Sequence, residues 1–226
     1  MKCSSSGEAL NFERPVTRNA NKRMTGTPEL VALAASYVFG ATPFGYLAGR
    51  LRGMDIRQHG SGNIGATNAF RVLGKPTGIT VFVLDFLKGL LPVLLAARVF
   101  PNAELAPLLA GIGAILGHNF TFWLGFKGGK GIATSAGVLL ALLPVAMLVG
   151  LGVWLLLFFT TRYVAVASIG AAFAIPIVTA LRNADNRPVL IFSIAIAVLA
   201  IVRHRSNIQR LLAGTENRFH RKSKTK

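Results

Sequence analysis

The run IATSAGVLLALLPVAMLVGLGVWLLLFFTT, from Ile132 to Thr161, carries no ionisable side chain. A helix needs about 20 apolar residues to cross a bilayer, and this run is half as long again, with Pro144 near its middle. Proline removes a backbone donor and clashes with the preceding turn. The run therefore reads either as one tilted helix or as two shorter ones broken at Pro144. Both readings put it in lipid, and the choice between them fixes the number of crossings.

Working outward, further apolar runs occupy Leu30 to Ala48, Ile79 to Phe100, Leu105 to Leu124, Val164 to Leu181 and Val189 to Val202. Basic residues concentrate in cytosolic loops, so Arg50, Arg52, Arg57, Arg71 and Lys75 place the first loop inside. Pro101 to Glu104, without a cation, suits the outside. Lys127 and Lys130 are then inside again, and so is the tail with Arg203, Arg205, Arg210, Arg218, Arg221, Lys222, Lys224 and Lys226. Six spans cannot join an outside N-terminus to an inside C-terminus. Splitting the long run at Pro144 gives seven and restores parity. The expected fold is all-α: a polytopic membrane helix bundle of seven transmembrane helices, N-terminus outside and C-terminus cytosolic. Three segments are expected: 1–28 a disordered extension, 29–210 a single transmembrane domain, and 211–226 a basic cytosolic tail. The extension's cations, Lys2, Arg14, Arg18, Lys22 and Arg23, conflict with an outside location. That conflict points to Met24 as the true start, which N-terminal sequencing of the native protein would test.

Composition agrees with a membrane chain: 52% of residues are hydrophobic and 15% charged, with mean hydropathy +0.53. The formal net charge is +17, but the cations sit at the ends of apolar runs. Anionic headgroups and phosphorylated solutes fit this pattern better than nucleic acid. Cys3 is the single cysteine, which excludes an internal disulfide and a cysteine zinc cluster. The carboxylates are few and scattered, so no metal site and no cofactor are expected.

Three polar segments interrupt the apolar runs. In the first, Gly60, Gly62 and Gly65 alternate with Ser61, Asn63, Thr67 and Asn68, close to Arg71. Glycine permits positive φ, so successive N–H groups can converge on an anion; an ordinary Gly-Asn turn would use the same residues. The second, Gly125 to Thr134, contains Lys127, Gly128, Gly129, Lys130 and Gly131. It departs from the nucleotide phosphate loop, since Gly131 stands where that loop needs Ser or Thr. A helix starting near Ile132 offers free N–H groups to an anion beside two lysines. Lysines that merely set topology are the plainer alternative. In the third, starting at Arg203, helical spacing puts His204, Asn207 and Leu211 on one face. A basic helix lying on anionic lipid would look alike. Asp85 and Lys88, three apart inside an apolar run, share one helix face and can neutralise each other; an ion pair that fixes helix packing is at least as good a reading as a role in catalysis, and both are left out of the catalytic set.

Together GSGNIGATNAFR (60–71), HNFTFWLGFKGGKGIAT (118–134) and RHRSNIQRLLAGTENRF (203–219) resemble the three motifs of the bacterial acyl-phosphate:glycerol-3-phosphate acyltransferase family. The match runs in order from Tyr37 to Phe219, and VFVLDFLKG (81–89) and RYVAVASI (162–169) are similar too. The segment before Thr25 and the basic end after Phe219 depart from it. The resemblance implies a seven-helix bacterial inner-membrane enzyme with its site at the cytosolic face. It would move a fatty acyl group from acyl phosphate to the 1-hydroxyl of glycerol 3-phosphate, giving lysophosphatidic acid and phosphate and opening phospholipid synthesis. It also implies catalytic roles for Ser61, Lys130, His204 and Asn207. Asn63, Thr67, Arg71, Lys127 and the motif glycines would bind substrate, with Asn68 beside them. The soluble enzyme that makes acyl phosphate is a candidate partner.

The residues fit that chemistry on their own terms. Two phosphorylated reactants need two anion pockets, and an acyl tail needs hydrocarbon while the glycerol stays in water. Acyl phosphate carries its own leaving group, so alignment of the hydroxyl and stabilisation of the oxyanion matter most. The hydroxyl proton goes to His204 or to the substrate phosphate, and the phosphate is preferred because no carboxylate flanks His204. The His-to-Asp spacing of five, which marks acyltransferases using acyl-CoA or acyl carrier protein, occurs at none of His59, His118, His204 or His220. A transporter of a phosphorylated solute is the alternative, but the halves show no internal repeat.

Overall fold

The computed structural model describes residues 26–219. Residues 1–25, with the alternative start at Met24, and the tail from 220 on lie outside the described residues. Among the described residues ten α-helices follow one another: α1 Thr27–Gly40, α2 Phe44–Arg50, α3 Ala66–Val72, α4 Lys75–Val99, α5 Ala106–Asn119, α6 Ile132–Leu142, α7 Pro144–Thr161, α8 Val164–Arg182, α9 Arg187–Arg203 and α10 Arg205–Leu212. Single 3-10 turns occupy Ile56–Gln58 and Phe122–Leu124, and there is no strand among the described residues.

Pro144 ends the ambiguity of the long run. It sits in the first turn of α7, where the missing N–H has no partner to lose, and Leu143 before it leaves the helical region. The run is therefore two helices. α6 is too short to cross at full thickness, whereas α1 with α2, α4, α5 with its 3-10 turn, α7 and α8 are long and apolar enough. Arg187–Arg203 joins them when counted through the 53° bend into α10. Leu156, Phe159, Ile177, Leu181 and Ile191 are each at least 60% exposed on the outer faces. In water such a surface would aggregate; in lipid it is solvated. The chain is an integral membrane helix bundle.

Helices in lipid gain no hydrophobic drive toward each other, so they associate through close backbone contact at small residues. On α5 a Cβ at Gly113 would lie 2.2 Å from the Leu33 oxygen of α1, and one at Gly117 would lie 2.2 Å from that of Tyr37. The α4–α6 contact is built alike, through Gly89 and Gly137. One core runs from Val93 of α4 and Ile115 of α5 through Leu139, Leu143, Ala146, Ile175 and Phe192, joining α6, α7, α8 and α9 to them.

The break between α1 and α2 frees carbonyls at a depth where water is scarce. Lys88 Nζ donates to Thr42 O at 2.7 Å and Thr121 Oγ1 donates to Ala41 O. The Asp85–Lys88 pair is thus structural, at 2.9 Å and almost wholly buried.

Residues 213–219, expected within the basic tail, fold back onto the bundle. Phe219 N donates to Arg162 O at 3.0 Å, and Arg71 donates to Asn217 O at 3.2 Å.

Candidate active site

The loop between α5 and α6 is tied down before it meets any ligand. Gly128 N donates to Asn119 O and Gly129 N to His118 O, both at 3.1 Å. On the other side, the Arg203 guanidinium donates to Gly128 O at 2.9 Å and to Gly129 O at 2.7 Å. Their peptide groups are therefore occupied within the protein. They are glycines because there is no room for a side chain: a Cβ at Gly129 would lie 2.1 Å from His118 Nε2. The free donors come one step later. Gly131, at φ +80°, opens α6 with no side-chain cap, and Gly131, Ile132 and Ala133 face a cavity. Unsatisfied N–H groups and the helix dipole favour an anion there.

Lys130 stands beside that helix start and donates to Asn207 Oδ1. Asn207 in turn donates to Glu216 Oε1 at 2.8 Å, while Arg210 Nε donates to Glu216 Oε2 at 2.7 Å. Burial pulls the Lys130 ammonium down to about 8; Glu216 opposes the drop, and Arg210, Arg71 and Arg203 add to it.

The first segment follows the same logic. Asn68, 1% exposed, accepts from Ser61 N at 2.9 Å and donates to Asn63 O at 2.8 Å and His59 O at 3.1 Å. Asn63 Oδ1 accepts from Gly65 N at 2.9 Å, and Gly62 N donates to His59 O at 3.1 Å. With the N–H groups of Ser61, Gly62 and Gly65 used inside the loop, the segment meets the cavity through side chains rather than through a glycine nest. Ser61, Asn63, Thr67, Asn68 and Arg71 line it, whereas Gly60 and Gly62, both at positive φ, shape the turn behind. Burial lowers Arg71 from its ordinary value, yet a guanidinium stays charged.

His204, 3% exposed, sits at the bend between α9 and α10 and lines the cavity. Its Nδ1 lies 2.8 Å from Ala200 O. A carbonyl only accepts, so Nδ1 carries the hydrogen and Nε2 keeps a free lone pair.

The cavity thus gathers Ser61, Asn63, Gly65, Thr67, Asn68, Arg71, Lys130, Gly131, His204 and Asn207, and leaves out Lys127, which is exposed. Several lining residues were not among the site residues expected from sequence. Asp85 and His118 face it from below, His118 Nδ1 lying 3.6 Å from Asp85 Oδ1. Glu216 arrives from beyond α10, and Ser168 accepts from Trp154 Nε1 at 3.2 Å. The cavity holds about 620 Å³, and its deeper wall is apolar: Leu139, Met147, Leu151, Ala172, Ile175 and Ile196. Among the described residues no group of three or more His, Cys, Asp or Glu side chains converges to hold a metal ion.

Known proteins match this arrangement along most of the chain. The family model for glycerol-3-phosphate acyltransferase covers residues 30–214. A glycerol-3-phosphate acyltransferase of Geobacter sulfurreducens is 47% identical over 193 residues, 84% of this chain and 97% of its own length. One of Desulforamulus reducens is 45% identical, over 85% of this chain and 96% of its own. The crystal structure of PlsY (YgiH), an integral membrane glycerol 3-phosphate acyltransferase, superposes in its glycerol 3-phosphate form with a TM-score of 0.81 at 42% identity, covering 86% of this chain and 96% of that one. Its lysophosphatidic acid form gives 0.78. Matched over most of its length in sequence and in fold, the chain belongs to the glycerol-3-phosphate acyltransferase family.

Proposed function

We propose that the protein transfers a fatty acyl group from acyl phosphate to the 1-hydroxyl of glycerol 3-phosphate, at the cytosolic face of a bacterial inner membrane. Lysophosphatidic acid and orthophosphate are the products. The observation that carries this reading is the two-part cavity, with phosphate-binding chemistry at one end and an apolar slot at the other. An acyl chain gains about 0.8 kcal/mol per buried CH2 in such a slot, while the phosphates stay with Arg71, Lys130 and the start of α6. The bundle is read as seven crossings, α1 with α2, α4, α5, α7, α8 and α9 as long ones and the eleven-residue α6 as a short one, with the N-terminus outside.

In this mechanism Lys130 and the α6 N–H groups hold one phosphate and Arg71 the other, with Ser61 and Thr67 as hydroxyl donors. The glycerol oxygen attacks the acyl carbon, a C–O bond forms, and the bond from carbonyl carbon to phosphate oxygen breaks. Orthophosphate leaves. The hydroxyl proton passes to a phosphate oxygen. Supporting that route, His204 is oriented by a backbone carbonyl, and Glu216 is engaged by Asn207 and Arg210. An imidazole without a carboxylate partner is a weak base for an alcohol. Its free Nε2 serves better to place the hydroxyl or phosphate.

Purified protein given palmitoyl phosphate and glycerol 3-phosphate should release orthophosphate without added magnesium or CoA, and Lys130→Ala should not. Product from acyl-CoA with no acyl phosphate present would overturn the donor assignment.

A further inference from the structure

The apolar end of the cavity is bounded by two antiparallel helices joined at Arg162–Tyr163. On α7, Met147, Gly150, Trp154 and Phe158 recur at helical spacing along the wall, and α8 answers with residues from Val164 to Ile175. Eleven residues separate the ends on each helix, a wall of about 16 Å at 1.5 Å per residue. Phe158 and Val164 lie beside the joining turn, so Met147 and Ile175 mark the deep end.

At that end the slot meets the packed core. Leu139 and Ile175 line the cavity and at the same time belong to the continuous core with Val138, Leu143, Ala146 and Phe192, all at most 5% exposed. A close-packed core yields little to an intruding methylene. Where Ile175 sits depends on a residue without a side chain: it packs directly onto Gly150, where a Cβ would lie 2.7 Å from Ile175 Cδ1.

We infer that Gly150 and Ile175 form a length stop for the acyl chain, so that the fold and not the surrounding lipid sets the longest acyl group accepted. This rests on the acyl-transfer reading above. It adds that the methyl end of the donor seats against Ile175, whose Cδ1 occupies the space over Gly150, so that a side chain placed at 150 pushes Ile175 into the slot and shortens it. Chains ending short of the stop leave apolar surface unfilled, and chains overrunning it must fold back.

The test is a series of saturated acyl phosphates, from octanoyl to icosanoyl, assayed on the full chain in detergent with saturating glycerol 3-phosphate. Each methylene lost or forced in such a pocket is worth about tenfold or more in kcat/KM. Gly150→Leu should therefore lower the long-to-short ratio of kcat/KM by about tenfold or more, and Ile175→Ala should raise it and lengthen the optimum. Because the readout is a ratio within one preparation, partial loss of folded protein cancels. A profile of the same shape in both variants would overturn the length stop. Should acyl-CoA be turned over in place of acyl phosphate, the donor assignment falls, and a shifted profile across an acyl-CoA series would still uphold the stop.

Discussion

Lys130 combines a fixed hydrogen bond with a lowered proton affinity, and the two make a prediction with a definite sign. In the proposed mechanism the ammonium form holds phosphate, and burial brings its pKa to about 8. The group is therefore charged below that pH and neutral above it. kcat/KM for glycerol 3-phosphate should be level on the acid side of about 8 and fall above it, approaching tenfold per pH unit. Lys130→Arg keeps its charge and should move this alkaline limb upward while lowering the plateau, since a planar guanidinium cannot reproduce the ammonium's bond to Asn207. An unchanged limb in Lys130→Arg would assign it to another group. His204 gives the complementary case. If the substrate phosphate accepts the proton, His204→Gln retains a polar group at the bend and should cost less than about a hundredfold in kcat; a loss of about a thousandfold would make the histidine the base.

The elements explain what could be read in the sequence and what could not. Pro144 acts locally, so the α6–α7 break was legible from one residue, as were the glycine-rich loops and the Asp85–Lys88 spacing. The break after α1 has weaker local cues, and its carbonyls find partners 46 and 80 residues away, in Lys88 and Thr121. The same holds for Arg203, which reaches back 74 residues to Gly129, and for His118, whose neighbours become apparent only once α4 and α5 pack. Lys127, three positions from Lys130, is exposed and does not line the cavity, because the two peptides between the lysines are held by His118, Asn119 and Arg203, contacts that local spacing does not show. Two variants test these contacts. Lys88→Met leaves Asp85 buried without its cation and Thr42 O without a donor, so it should destabilise the protein by about 3–5 kcal/mol. The double variant Asp85→Asn/Lys88→Met should recover part of that loss in thermal unfolding, because no bare charge remains. Gly129→Ala meets His118 Nε2 at 2.1 Å and must shift the loop that carries Lys130. Displacements of about 1 Å cost about a hundredfold in turnover, so a kcat loss of that order is expected. Gly53→Ala, with open space around it but φ +73°, should affect stability alone.

Over the whole molecule, every polar segment that reaches the cavity comes from one end of the bundle. The first loop, the α5–α6 loop, the α7–α8 turn and the stretch from Arg203 to Phe219 meet there, joined by the contacts of Arg203 with Gly129, Arg71 with Asn217 and Phe219 with Arg162. The opposite end has only short connections, at 100–105, 143 and 183–186. An acyl chain enters from lipid and a phosphate monoester from water, so a site built at one membrane face meets both without a path across. This arrangement fixes which loops share a compartment. Cys3 is the sole cysteine, so Cys3→Ser provides a background on which single exposed positions are read one at a time. With a membrane-impermeant maleimide on right-side-out vesicles, Asn102→Cys and Asp185→Cys should label directly. Gln58→Cys, Lys127→Cys and Arg218→Cys should label only after the vesicles are opened. Labelling of position 127 from one side and 58 or 218 from the other would separate groups that the cavity requires together, and a one-sided interfacial enzyme could not be built from them.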